Sequence, residues 1–105
     1  MDEREYFIPL LGIDAAIRVW RRKDRGRILR FVVQLEAHIE GSWTPVTRYD
    51  NAHNFVHRDD LKPDGSQIKS PPMSFAIKEE ALNYAIRDLR LNAHLYIERF
   101  LRWKK

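Results

Sequence analysis

The sequence predicts an α+β fold, an antiparallel β-meander of three to five strands packed against one long C-terminal amphipathic helix. Three features carry that expectation. Apolar and polar residues alternate over residues 29–39, turn residues punctuate the chain at hairpin spacing, and the apolar period lengthens to three or four residues from about Lys78.

In the alternating stretch Leu29, Phe31, Val33, Leu35, Ala37 and Ile39 fall on one side, and Arg30, Gln34, Glu36 and His38 on the other. That is the period of a half-buried strand. Ile17-Arg18-Val19-Trp20-Arg21-Arg22 precedes it as a second strand, and Asp24 and Gly26 in the intervening Lys23-Asp24-Arg25-Gly26-Arg27 supply the reversal. Glu40-Gly41-Ser42 turns the chain again into Trp43-Thr44-Pro45-Val46-Thr47-Arg48-Tyr49, rich in β-branched and aromatic side chains. Pro45 has no N–H to give a ladder, which predicts an edge strand or a bulge at that point. Upstream, Glu5-Tyr6-Phe7-Ile8-Pro9-Leu10-Leu11 is apolar enough for an edge strand or a covering segment. Residues 50–72 are polar and turn-rich, with Lys62-Pro63-Asp64-Gly65 as a reverse turn and short extended pieces at 55–58 and 73–77.

The helix follows from the spacing of Leu82, Ile86, Leu89, Ala93, Tyr96, Phe100 and Trp103. Glu79 and Glu80 near its start, and Arg99, Arg102, Lys104 and Lys105 near its end, complement the helix dipole. No good N-cap precedes it. Trp43 and Trp103 are expected as core or core-edge anchors.

At 105 residues, 44% hydrophobic and 32% charged with three Trp, four Tyr and five Phe, the chain has the size and composition of a single domain, 1–105, with one core. It has no cysteine, which excludes a disulfide framework, a thiolate zinc site and a cysteine nucleophile, and points to a reducing compartment. Neither a signal peptide nor a membrane span can be drawn, so a cytoplasmic protein with no membrane partner is expected. The net charge of +4 is uneven: −3 over 1–15, +6 over 16–31, −2 over 32–77 and +3 over 78–105. Arg18, Trp20, Arg22, Lys23, Arg25, Arg27 and Arg30, with Arg48, are therefore the candidate nucleic-acid-binding set, Trp20 offering a ring for a base to stack on. An Arg-rich hairpin also serves simply as a solvated, aggregation-resistant edge.

The densest polar cluster runs from Arg48 to Asp60 and holds two of the four histidines. If it is extended, Tyr49, His53, Phe55, His57 and Asp59 share one face, and if it is a helical turn His53 and His57 still coincide. Two imidazoles can act as general base and general acid, and a nearby guanidinium can hold phosphate, which suffices for metal-free RNA cleavage through the 2′-hydroxyl. The candidate catalytic residues are accordingly His53, His57, Arg58, Tyr49 and Asp50, with Arg48 or Arg58 on phosphate. The same residues allow a divalent ion between His53, His57 and Asp50 or Asp59, but H-x-x-x-H spacing is a weak signal, and no metal or cofactor is assigned. They also fit a structural role in which Asp50 and Asn51 make Asx-type turns, the histidines bond loop backbone, and Arg58 pairs with Asp59 or Asp60.

Tyr49-Asp50-Asn51-Ala52-His53, His57-Arg58-Asp59 and Pro63-Asp64-Gly65, followed by an Ala/Leu/Tyr-bearing C-terminal helix, resemble a family of short prokaryotic proteins of unknown function, over most of the chain from Arg18 onward. More loosely, the Tyr-Asp-Asn stretch with spaced histidines is similar to that of TumE-type toxins, small proteins encoded beside an antitoxin. This chain departs from them in lacking a tighter histidine cluster. The expected function is nucleic-acid-directed, RNA-binding with toxin-like endoribonuclease activity, the partners being RNA and a cognate antitoxin or other small protein. The alternative is a non-catalytic interaction module that forms a homodimer or docks a partner through the sheet edge at 43–49.

Overall fold

The computed structural model describes residues 1–104; Lys105, counted above among the helix-end cations, lies outside them. The chain forms β1 (Asp2–Pro9), β2 (Ala15–Asp24), β3 (Arg27–Ile39), β4 (Ser42–Asp50), β5 (His57–Leu61), β6 (Gln67–Lys69) and α1 (Lys78–Trp103). The strands make one sheet in sequence order, every neighbouring pair antiparallel, and the helix packs across one face. This is the expected α+β meander with one strand more than the upper bound.

The β2–β3 and β3–β4 hairpin turns share one device. Arg25 (φ 51°) and Gly26 (φ 77°), then Glu40 (φ 51°) and Gly41 (φ 82°), place two consecutive residues in the left-handed region, the geometry that matches the twist of flanking strands. A bulge at Arg22/Lys23 shifts the phase of the hairpin end, so Ile28 rather than Leu29 enters the core; Leu29 is 37% exposed. A second irregularity opposite Leu35/Glu36 falls at Pro45, where the missing donor does least harm. β4 is nevertheless an inner strand, with β5 paired to Thr47–Asp50. The free edges are β1, the three-residue β6 and the Trp43–Val46 stretch of β4, so of the edge expected at 43–49 only Thr47–Tyr49 is covered by β5.

Ile17 and Val19 of β2, Phe31, Val33 and Leu35 of β3 and Tyr49 of β4 form the sheet half of the core. Leu82, Leu89, Tyr96 and Phe100 meet them from the helix, and the small Ala81, Ala85 and Ala93 between them let the helix lie close. Ile77 caps the helix without a side-chain bond; its carbonyl accepts from the Glu80 and Ala81 N–H groups, and Glu79 and Glu80 complement the dipole. Trp103 is half-buried at the far end, whereas Trp43 is 54% exposed and stands edge-on to His38, so it is not a core anchor. No helix among the described residues is long and apolar enough to cross a membrane.

Candidate functional site

Strand alternation divides the Arg48–Asp60 cluster between the two faces of the sheet. Tyr49 lies opposite Arg58 in the register, and the next pair along is Asp50 with His57. Successive residues of a strand point to opposite faces. Tyr49, Arg58 and Asp60 therefore face the helix, while Asp50, His57 and Asp59 face the open side.

On the helix side, the Tyr49 and Tyr96 hydroxyls both donate to Asp88 Oδ2 at 2.6 Å, and Asn92 donates to Asp88 Oδ1 at 2.8 Å. Arg58 donates to the Tyr96 hydroxyl at 3.2 Å and pairs with Asp60 at 3.2 Å, and Arg99 reaches the same Asp60 oxygen at 2.8 Å. Burial, then the Asp88 carboxylate, pushes both phenols far above the usual tyrosine range. Burial alone would depress the Arg58 guanidinium, but Asp60, Tyr96 and Tyr49 outweigh it and its pKa rises. Neutral phenols and a locked guanidinium make a strut between helix and sheet, not a proton relay. Two of the five expected catalytic residues, Tyr49 and Arg58, thus sit on the far face from His57.

On the open side, His57 is only 2% exposed. Its Nε2 stands 3.5 Å from Asp59 Oδ2, 3.8 Å from Asp50 Oδ1 and 3.4 Å from Lys69 Nζ. Asp50 Oδ1 also accepts the Ala52 N–H at 3.0 Å, the Asx turn expected there, and Asn51 binds Phe31 N–H and the Leu29 carbonyl. The exposed His53 ring stacks over His57 with centroids 6.5 Å apart, and Phe55 lies 5.6 Å from His57. The imidazoles do meet. However, the inner one is shut off from solvent and faces carboxylates and an ammonium, with no Arg58 beside it to hold a phosphate. Of the two arginines expected on phosphate, Arg58 faces away, while Arg48 shares the open face and donates its Nε to Gln34.

The basic set is divided too. Trp20 opposes Val32, Arg22 opposes Arg30, and Gln34 lies between Arg18 and Arg48, which puts Arg18, Trp20, Arg22, Arg30 and Arg48 on the open face. Arg18 pairs with Glu36 at 3.0 Å, and Arg48 donates to Gln34 at 2.8 Å. Among the described residues Arg22, Arg30 and Arg48 have no carboxylate within 4.0 Å. Arg25 and Arg27 are exposed at the hairpin tip. Lys23, past the bulge, turns to the helix side beside Tyr6, Ile28 and Leu82, and so leaves the set.

The model of the family DUF7718, a domain of unknown function, matches residues 1–105. The chain belongs to that family. No curated protein and no solved structure matches the DUF7718 chain, and no match links it to TumE-type toxins. Sequence reasoning missed Asp88, Gln34 and Lys69 in this DUF7718 fold. Asp88 stands one helical turn from Ala85 and Asn92, on the flank of the apolar stripe, and an acid there is a signal that a buried donor opposes it. Lys69 gave none, because its place beside His57 depends on the β5–β6 register.

Proposed function

We propose that this DUF7718 protein binds single-stranded RNA across the open face of its sheet, with Trp20 stacking on a base and Arg22, Arg30 and Arg48 holding phosphates around it. The observation that carries the reading is the Arg22–Arg30 pair. Two guanidiniums directly opposite on neighbouring strands repel, neither has a carboxylate at contact distance, and a bound phosphate relieves that repulsion. Trp20 is the next open-face residue of β2, about 7 Å along the strand. A half-buried cationic strip beside an aromatic platform matches the way sequence-tolerant single-strand binders combine a basic groove with stacking rings. The cytoplasm, where a cysteine-free chain is at home, supplies such RNA. The reading is of binding without cleavage.

Fluorescence anisotropy with a labelled mixed-sequence RNA of about ten nucleotides tests it. Binding should weaken with salt, and Trp20→Ala should cost about 1–3 kcal/mol of affinity, the worth of one stacked base. RNA that stays unbound by the wild-type protein at low salt sinks the reading.

The interaction-module reading keeps two supporting observations, the eight-residue β1 with an unpaired edge and the Trp43–Val46 stretch of β4 that β5 leaves unpaired. A second copy, a cognate antitoxin or another small protein would add a strand there. Yet Asp2, Glu3, Arg4 and Glu5, with Pro9 at the end, are the kind of residues that blunt an edge against pairing. Light scattering separates the two readings: a stable dimer without RNA affinity favours the module.

A further inference from the structure

We infer that Asp50, His57 and Asp59 form a binding site for a divalent first-row transition-metal ion, and that the Lys69 ammonium is the internal cation such an ion displaces. The inference is independent of RNA binding. One donor atom from each of the three residues lies within 4.8 Å of the other two. The separations from His57 Nε2, 3.5 Å to Asp59 and 3.8 Å to Asp50, are too long for good hydrogen bonds. They approach the edge of a coordination shell, since donors about 2.1 Å from an ion at tetrahedral angles stand about 3.4 Å apart.

Burial supplies the second, independent observation. Asp59 is 3% exposed, and its Oδ1 is sealed from water without a hydrogen-bond partner. That oxygen faces the cluster, 3.9 Å from Lys69 Nζ, which in turn lies 3.4 Å from His57 Nε2. Arg48 is the register neighbour of Asp59, but it spends its Nε on Gln34. A sealed carboxylate beside a second one calls for a cation. Lys69 supplies one from a distance, on a side chain 48% exposed at the three-residue edge strand, free to swing out.

The donor set names the ion class. One neutral imidazole and two carboxylates carry the charge that balances a divalent ion, and the nitrogen favours zinc, cobalt, nickel, iron(II) or manganese over calcium and magnesium. His57 Nδ1 has no hydrogen-bond partner, so the outer support that tightens most histidine–metal bonds is missing. The site should therefore bind in the micromolar rather than the nanomolar range, about 10–100-fold weaker than a fully supported one.

Isothermal titration of chelator-treated, tag-free protein with zinc, cobalt and manganese, and with magnesium and calcium for comparison, tests the inference. One transition-metal ion per chain is expected, with visible cobalt absorption of mixed nitrogen and oxygen ligation. Asp59→Asn should weaken binding by at least about 100-fold, and Lys69→Ala should tighten it by removing the competing ammonium. His38→Ala with His94→Ala, distant surface histidines, should leave binding unchanged. The inference is overturned if no ion binds, if magnesium binds as well as zinc, if binding is lost with the surface histidines, or if a folded Asp59→Asn binds like wild type. Should Asp59→Asn fail to fold by circular dichroism, the exposed Lys69→Ala decides: unchanged or weaker affinity refutes the displacement.

Discussion

Replacing Asp88 by alanine removes the acceptor of three hydrogen bonds at once, two from phenols at 2.6 Å and one from Asn92 at 2.8 Å. Tyr49 is wholly buried, so its hydroxyl has no water to turn to, and Tyr96 is nearly so. Hydrogen bonds to a charged acceptor are worth about 1.5–3 kcal/mol each, and an orphaned buried donor costs its full desolvation. Asn92 can rehydrate at the helix flank, so two phenols set the loss, about 3–5 kcal/mol. Urea unfolding followed by circular dichroism and tryptophan fluorescence measures it, alongside Tyr49→Phe and the double variant. A loss below about 1 kcal/mol, or strict additivity in that cycle, would refute the strut. The same interaction fixes an alkaline response. Both phenols have folded pKa values raised by burial and by Asp88. Their contribution to stability is therefore fully present below the unfolded tyrosine value near 10. Above it the unfolded chain sheds protons that the folded one keeps, and stability falls by about 1.4 kcal/mol per pH unit for each tyrosine. Asp88→Ala should make that slope shallower.

Arg22→Ala with Arg30→Ala should stabilise the fold slightly by removing a like-charge pair, while weakening RNA binding and lowering the salt slope by about 0.7 for each phosphate no longer neutralised; filter retention across a salt series reads both effects on binding, and urea melts read the stability. Gly41→Ala meets no atom within 4 Å but places a side chain at φ +82°, so about 1–2 kcal/mol should go in urea melts through strain alone. Leu35→Ala, at a fully buried position under the helix, should cost about 2–5 kcal/mol in the same melts.

The period of two in β3 and of three to four in α1 was legible because one face of each is apolar: Val33 and Leu35, or Leu89 and Phe100, are buried as their spacing requires. β5 was legible only in part, as the extended piece expected at 55–58, for the opposite reason. His57-Arg58-Asp59-Asp60 has no apolar face: Arg58 and Asp60 are paired with helix residues on one side, and His57 and Asp59 stand at long approach to each other on the other. Hydropathy carries no signal of that kind. The bulge at Arg22/Lys23 was likewise invisible, and it moved Lys23 off the basic face and put Ile28 in place of Leu29. The histidine pair was found, but which arginine accompanies it depends on parity within β5, which the spacing alone left open.

That parity separates two kinds of substitution in a stretch of four residues. Arg58 and Asp60 are tied to Tyr96 and Arg99, so changing them loosens the helix and lowers stability whatever the protein binds. His57 and Asp59 lie on the open face with only long approaches to each other and to Lys69. A polar cluster that served the fold would tighten to hydrogen-bond distances, as the Asp88 strut on the opposite face has done. The open-face cluster is held apart by the β4–β5 register instead, since Asp50–His57 and Arg48–Asp59 are ladder partners whose spacing the backbone sets. Preset spacing without short bonds is what a site for a separate ion or ligand requires, and it is why function in this fold should be sought on the face the helix leaves uncovered.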